Sequence, residues 1–293
     1  MNPSDVPTTM SAALARMTEI LASANVEAPR RNAEWILQDL AGISRLDLIM
    51  HASRPISAEA WTPCLHATLR RANREPIQYI LGYANFFGLR INVSPEVLIP
   101  RPETEQVAAE VLARLDGQTR PRVLDVGTGS GCIAVALGHA RPDARLFACD
   151  SEAGALRVAH QNAFELRAKI QLFKADALSA GFAVAFSGVL DAIVSNPPYV
   201  AAEEVAFLEP EVREFEPRTA LVAAPDPLIF YRALVREAGR VLRPGGHLVL
   251  ECHEERTEAV ARLLSAQGMG AVQALPDLAG RPRIVAGRMM ERV

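Results

Sequence analysis

Val123-Leu-Asp-Val-Gly-Thr-Gly-Ser-Gly131 is the stretch whose reading decides the fold. A short apolar run ends in a loop with glycine at every second position, and an apolar segment starting at Cys132 follows at once. Glycines placed there let the main chain turn tightly and come close to a ligand, as at the first strand-to-helix turn of a nucleotide-binding α/β domain. The spacing is G-x-G-x-G, not the G-x-G-x-x-G of a dinucleotide fingerprint, and no Lys-Ser/Thr pair follows as in a phosphate loop. The loop does not specifically ask for a pyrophosphate.

Working outward, strand-like runs at 122–126, 145–149, 170–173, 190–195 and 247–251 alternate with helical segments from Cys132, over 154–166 and over 228–241. Such alternation predicts an α/β fold, a doubly wound, Rossmann-like parallel sheet with helices on both faces. Residues 283–288 read as an added edge strand. Upstream, residues 11–74 read as helical: Leu14, Met17, Ile20 and Leu21 recur at helical spacing, and Trp35, Ile36, Asp39 and Leu40 do so less cleanly. Pro29 marks a helix start, Gly42 a stop and Ser57 a cap. The expected organisation is a small helical domain over 1–75, a hairpin linker over 76–103, and a large α/β domain over 104–293.

The chain has 293 residues, 49% hydrophobic and 22% charged, enough for a sizeable core. Its net charge of −3 offers no electrostatic footprint for nucleic acid. Residues 1–85 carry eight arginines and eight acids, so the helical module reads as a docking element and not a nucleic-acid clamp. Arg70, Arg71 and Arg74 read as a solvated helix face, and Glu203, Glu204, Glu209 and Glu211 as a lid, a partner contact or a plain loop. Cys64, Cys132, Cys149 and Cys252 are scattered and read as reduced, buried thiols. The six histidines lack metal-ligand spacing, so no metal is expected. The first ten residues lack the pattern of a secretory leader, and no apolar run approaches the ~20 residues that span a bilayer. A cytoplasmic protein without membrane contact is expected.

Three acids stand at or just beyond strand ends. Asp150, at the end of the second, is placed to accept both hydroxyls of a ribose. Asp176, followed by Ala177, reads either as the acceptor of an adenine amino group or as a plain turn residue, and Asp125, against the loop, as a holder for the ammonium of an amino-acid tail. With Gly127, Thr128, Gly129, Ser130 and Gly131, they suit S-adenosylmethionine, which has a ribose and an amino-acid tail but no phosphate. After the fourth strand comes Asn196-Pro197-Pro198-Tyr199. An amide or aromatic NH2 is a poor nucleophile because its lone pair is delocalised. Two fixed acceptors, the Asn196 side-chain oxygen and the Pro197 carbonyl, can hold both N–H bonds and aim the nitrogen at a methyl group. The prolines fix φ and remove competing donors, and Tyr199 can stack on the planar group. Catalysis would be positioning plus electrostatics.

On these residues the chain resembles the HemK/PrmC family of peptide chain release factor glutamine-N5 methyltransferases. The resemblance is carried by Arg74-Glu-Pro-Ile-Gln-Tyr79, Ile99-Pro-Arg-Pro-Glu-Thr-Glu105, Leu124–Gly131, Ser195–Tyr199 and Phe215-Glu-Pro-Arg-Thr-Ala-Leu221. The glycine loop and NPPY are shared with many methyltransferases; the other two long segments separate this family from them. The resemblance implies a class I methyltransferase sheet, S-adenosylmethionine as cofactor, and the glutamine of the Gly-Gly-Gln motif in class I release factors as substrate. It further implies that Gly127 to Gly131, Asp150 and Asn196 contact the cofactor, with Asp176 and Ala177 beside the adenine. Asn196, Pro197, Pro198 and Tyr199 would hold the glutamine amide, with Arg101 and Glu103 lining the same cleft. The alternatives are an N6-adenine methyltransferase, which would need a basic surface for its flipped base, a ribosomal-protein glutamine methyltransferase, and an inactive cofactor-binding scaffold. Direct DNA binding is not expected.

Overall fold

Prolines, glycines and small capping side chains set where the N-terminal helices begin and end in the computed structural model, which describes residues 6–223 and 225–291. The leader reading above bears partly on residues 1–5, which lie outside the described residues. Helix α1 (Met10–Ser23) starts where the Thr9 hydroxyl accepts the Ala12 N–H at 3.2 Å. Helix α2 (Pro29–Ala41) has proline in its first turn and stops at Gly42, whose φ is +65°. Helix α3 (Arg45–Met50) is opened by a reciprocal Ser44–Asp47 capping box, α4 (Ala58–Ala72) by Ser57, and α5 (Ile77–Leu81) follows. Met17, Leu21, Ile36, Leu37, Trp61 and Cys64 form their common core.

Two sequence readings are corrected here. The buried face of α2 is Asn32, Ala33, Ile36 and Leu37, whereas Trp35 and Leu40 are exposed. Trp35 instead lies under the Arg31 guanidinium, 4.9 Å from its ring centroid. Nor do the three arginines form one solvated face. Arg71 is buried, donating to Asn32 Oδ1 at 3.1 Å, the Glu75 carbonyl at 3.2 Å and Glu211 Oε1 at 2.7 Å. Arg74 grips both oxygens of Glu211 at 2.8 and 2.6 Å, and Arg70 alone stays outside, on Glu75. Burial works to raise the Glu211 pKa, but hydrogen bonds from Arg74 and Arg71 overcome it and hold it at about 2.

These contacts place residues Glu209–Phe215 in one compact unit with the chain up to Gly82; Tyr83–Leu208 and Glu216 onward form the other. The second unit opens with a hairpin, β1 (Tyr83–Phe86) and β2 (Leu89–Asn92). Then come α6 (Pro102–Arg114), β3 (Arg122–Val126), α7 (Cys132–Ala140), β4 (Arg145–Asp150), α8 (Ala153–Glu165), β5 (Ile170–Lys174) and β6 (Leu190–Ser195). Helix α9 (Pro210–Phe215) belongs to the first unit. The chain continues through α10 (Arg218–Leu221), α11 (Ile229–Val241), β7 (Leu242–Glu251), α12 (Thr257–Ala266), β8 (Met269–Pro276) and β9 (Pro282–Met289).

The seven-stranded sheet has the order β5-β4-β3-β6-β7-β9-β8. The first five strands are parallel, and β9 and β8 run antiparallel. The terminal strand is therefore not the edge. It lies between β7 and β8, and the edge is β8, half-exposed and without a clear period in sequence. Alternate residues face opposite layers: Leu124, Ile193, Leu248 and Leu250 join the cluster under α11 and α12, while Val123, Ala192, Val194 and Val249 join that under α6 and α7. The strand order reverses between β3 and β6, the place where open α/β sheets bind ligands beyond their carboxyl ends.

Candidate active site

The pocket lies at that switch point. A cleft of about 1000 Å³, open to solvent, is lined from the ends of four adjacent parallel strands: Val126–Ser130 after β3, Asp150–Glu152 after β4, Ala175–Ala177 after β5, and Ser195–Pro198 after β6. Gly127 and Gly129 have φ of +68° and +55°, and a Cβ on either would meet nothing within 4 Å, so bare backbone borders the cleft. Gly131 serves another purpose. It caps α7 at φ +79°, and a Cβ there would come within 3.1 Å of the Ala159 Cβ on α8, so it permits close helix packing and does not line the cleft.

Asp150 shapes the loop as well as the cleft. One carboxylate oxygen accepts the Gly129 N–H at 2.9 Å and the other the Glu152 N–H at 3.0 Å. Each oxygen retains a further lone pair for a ligand. Burial raises its pKa, with the Glu152 and Gly129 N–H groups opposing. Asp125 does not line the cleft. It is buried, accepting the Thr128 hydroxyl at 2.7 Å and the Ala134 N–H at 3.3 Å, and so ties the loop to the start of α7. Burial lifts its pKa to about 7, against those two hydrogen bonds. Asp176 is exposed at the rim, where its carboxylate accepts the Leu178 N–H, and Ala177 sits beside it.

Among lining side chains, four are acidic (Glu96, Asp150, Glu152, Asp176) and one is basic, Arg101. Arg101 is already engaged by Glu216 at 2.5 Å. This acceptor-rich lining suits a cationic ligand with hydroxyl donors better than a pyrophosphate. Backbone without side chains at Gly127 and Gly129, a carboxylate at Asp150 and a lining arginine already paired with Glu216 fit the sulfonium cofactor expected from sequence.

Asn196, Pro197 and Pro198 line the same cleft. The Ser195 hydroxyl donates to the Val126 carbonyl at 2.7 Å, locking the end of β6 to β3. Asn196 Nδ2 donates to Thr104 Oγ1 at 3.2 Å. Tyr199 is not among the lining residues; its ring lies 6.1 Å from that of His253, tilted 53°, and burial pushes its pKa up to about 12. Glu103 likewise stands outside the lining, 3.7 Å from Arg281.

Three residues escape sequence reasoning: Glu216, Thr104 and Glu251. Glu216 is buried, and its carboxylate accepts the Ile99 N–H at 3.1 Å as well as Arg101. The Ile99–Glu105 and Phe215–Leu221 segments, quoted separately above, are thus joined, and Thr219 and Ala220 reach the cleft from the second. Thr104 and Glu216 lie inside those quoted segments, which is the signal by which they could have been found. Among the described residues no group of three or more His, Cys, Asp or Glu is arranged to hold a metal, and all four cysteines are buried and free. No described helix is long and apolar enough to cross a membrane.

Comparison with known proteins adds to this geometry. The PrmC N-terminal domain model matches residues 12–82, and the methyltransferase small domain model matches residues 104–209. The release factor glutamine methyltransferase of Geobacter sulfurreducens is 39% identical over 269 residues, covering 92% of this chain and 93% of the relative. That of Cereibacter sphaeroides is 42% identical over 269 residues, covering 92% and 94%. Among solved structures, the hMettl16 catalytic domain in complex with the MAT2A 3'UTR hairpin 6 aligns with a TM-score of 0.54 at 20% identity, covering 80% of this chain and 82% of that one. At that identity the likeness is one of fold.

Proposed function

Because this chain belongs to the release factor glutamine methyltransferase family, we propose that it transfers a methyl group from S-adenosylmethionine to the side-chain amide nitrogen (N5) of the Gly-Gly-Gln glutamine in class I peptide chain release factors. The observation that carries this reading is identity of about 40% across nearly the whole length, N-terminal helical module included.

Gly127 to Ser130 offer backbone to the cofactor, Asp150 accepts its ribose hydroxyls, and Asp176 with Ala177 borders its adenine. The bound cofactor supplies an electrophilic methyl group. The protein's own residues orient the nucleophile: Asn196 Oδ1 and the Pro197 carbonyl accept the two N–H bonds of the glutamine amide, which raises electron density on its nitrogen and fixes its direction. Pro197 and Pro198 stiffen the loop and contribute no competing N–H. Tyr199, packed against His253, forms the wall behind the loop. Arg101 is held by Glu216 at the cleft, and Glu103 stands outside the lining, near Arg281. The N-terminal helical unit contributes to docking of the release factor. No general base is required, since the alkylated nitrogen is acidic enough to lose its proton to water.

Asn196→Ala tests this assignment. Turnover on a release factor is expected to be lost, with S-adenosylmethionine affinity within about threefold of wild type; undiminished turnover would sink the assigned role.

A further inference from the structure

Asn196 has a defined orientation, and the residues defining it lie outside its loop. Thr104, in the first turn of α6, places Oγ1 3.2 Å from Asn196 Nδ2 and 2.6 Å from Glu251 Oε2. Thr104 and Glu251 are both only 2% exposed, so water does not compete for the contact between them. A hydroxyl has one proton to give and lone pairs with which to receive. An ionised carboxylate only accepts, so the Thr104 proton goes to Glu251 and Oγ1 is left to receive an N–H from Asn196. The amide can then stand one way round: nitrogen toward Thr104, oxygen away from it. Glu251 is itself anchored, because the buried Tyr231 hydroxyl donates to its backbone carbonyl at 3.1 Å.

We infer that Thr104, oriented by Glu251, is a positioning residue that turns Asn196 Oδ1 toward the acceptor amide. The inference rests on the reading of the site proposed above. It also explains why Asn196 needs partners at the start of α6 and the end of β7: a free side-chain amide would present oxygen and nitrogen alternately, and its nitrogen would repel the acceptor N–H.

The direction of this relay depends on the charge of Glu251. Burial raises its pKa to about 7, opposed by the Thr104 hydrogen bond. Arg283 on β9 and Arg101 favour its charged form, and Glu103 disfavours it; Tyr199, Tyr231, Cys132 and Cys252 are the other ionisable groups that interact with it. Once protonated, Glu251 can donate to Thr104, whose own proton then points to Asn196 and favours the turned-over amide. Below about pH 7 the relay therefore runs the unproductive way.

Thr104→Val keeps the shape and removes the relay; Thr104→Ser keeps the hydroxyl. On a release factor substrate, Thr104→Val is expected to lower kcat about 10- to 100-fold, with KM and S-adenosylmethionine affinity unchanged, and Thr104→Ser to recover most of the loss. In ¹⁵N NMR of the free protein, the Asn196 side-chain NH2 signal, assigned with Asn196→Ala, should show one hydrogen-bonded proton and shift with pH near 7. In Thr104→Val both features should vanish. A Thr104→Val enzyme within twofold of wild-type kcat, or an Asn196 signal unchanged by the substitution, would overturn the inference. Should wild type leave release factors unmodified, the proposed substrate fails, and the NMR signal alone still decides for or against the relay.

Discussion

Asp150→Asn separates a ligand-binding acid from a strand-end turn residue. The carboxylate has about four lone-pair positions; the Gly129 and Glu152 N–H groups take one on each oxygen, which leaves one apiece for a ribose hydroxyl. In asparagine one oxygen becomes NH2. Whichever way that amide stands, a donor then faces the N–H of Gly129 or of Glu152, and one ribose hydroxyl loses its acceptor. Hydrogen bonds to a charged group contribute about 1.5–3 kcal/mol each. Only the ribose contact and the loop's readjustment count toward binding, so the expected loss is about 2–3 kcal/mol, or roughly 30- to 150-fold in Kd. Isothermal titration calorimetry with S-adenosylmethionine measures it. Asp150→Ala should do less damage to the loop, because water can reach the two freed N–H groups, yet it should weaken binding at least as much. Affinity within threefold of wild type in both variants would refute the ribose role.

Three further outcomes follow from buried charge. Glu211→Ala leaves Arg71 buried without its carboxylate, so it should destabilise the first unit by about 3 kcal/mol and speed hydrogen exchange over Glu209–Phe215; unchanged exchange there would contradict the clasp. Glu216→Ala strands the Ile99 N–H and frees Arg101, with an expected cost near the lower end of ~3–5 kcal/mol because Arg101 is partly exposed; urea midpoints at constant m-value would check it. Asp125 titrates near 7 when folded against an ordinary 3.8, so between about pH 4 and 7 the folded state holds a proton that the unfolded chain has lost. Stability without ligand should fall as pH rises through that window, Asp125 contributing roughly 4 kcal/mol of the fall. Asp125→Asn should flatten it substantially, leaving the part due to Glu251, and an unaltered pH profile would contradict the assignment.

What could be read from sequence was local chemistry. The Gly127–Gly131 loop and the Asn196–Tyr199 turn each place a strand end and residues that line the cleft within a few consecutive positions. The five parallel strands likewise announce themselves by apolar runs between helices. What escaped was contact between distant segments. Glu216 meets Arg101 across 115 residues and Thr104 meets Glu251 across 147, and no periodicity encodes either pair. Arg71 looked like its neighbour Arg70 until Glu211 arrived from 140 residues away to bury it. Strand β8 was missed because its half-exposed Met269–Pro276 sequence alternates weakly, and that omission placed the terminal strand wrongly at the edge. Gly131 was grouped with its neighbours by motif, yet it is Ala159 on the adjacent helix that requires glycine there.

The most direct measurement is mass spectrometry of a class I release factor after incubation with this protein and S-adenosylmethionine, read at the peptide containing Gly-Gly-Gln. The account predicts one added methyl, localised to the glutamine side chain and absent with Asn196→Ala. An unmodified glutamine, with methyl transfer instead to nucleic acid or a ribosomal protein, would contradict it.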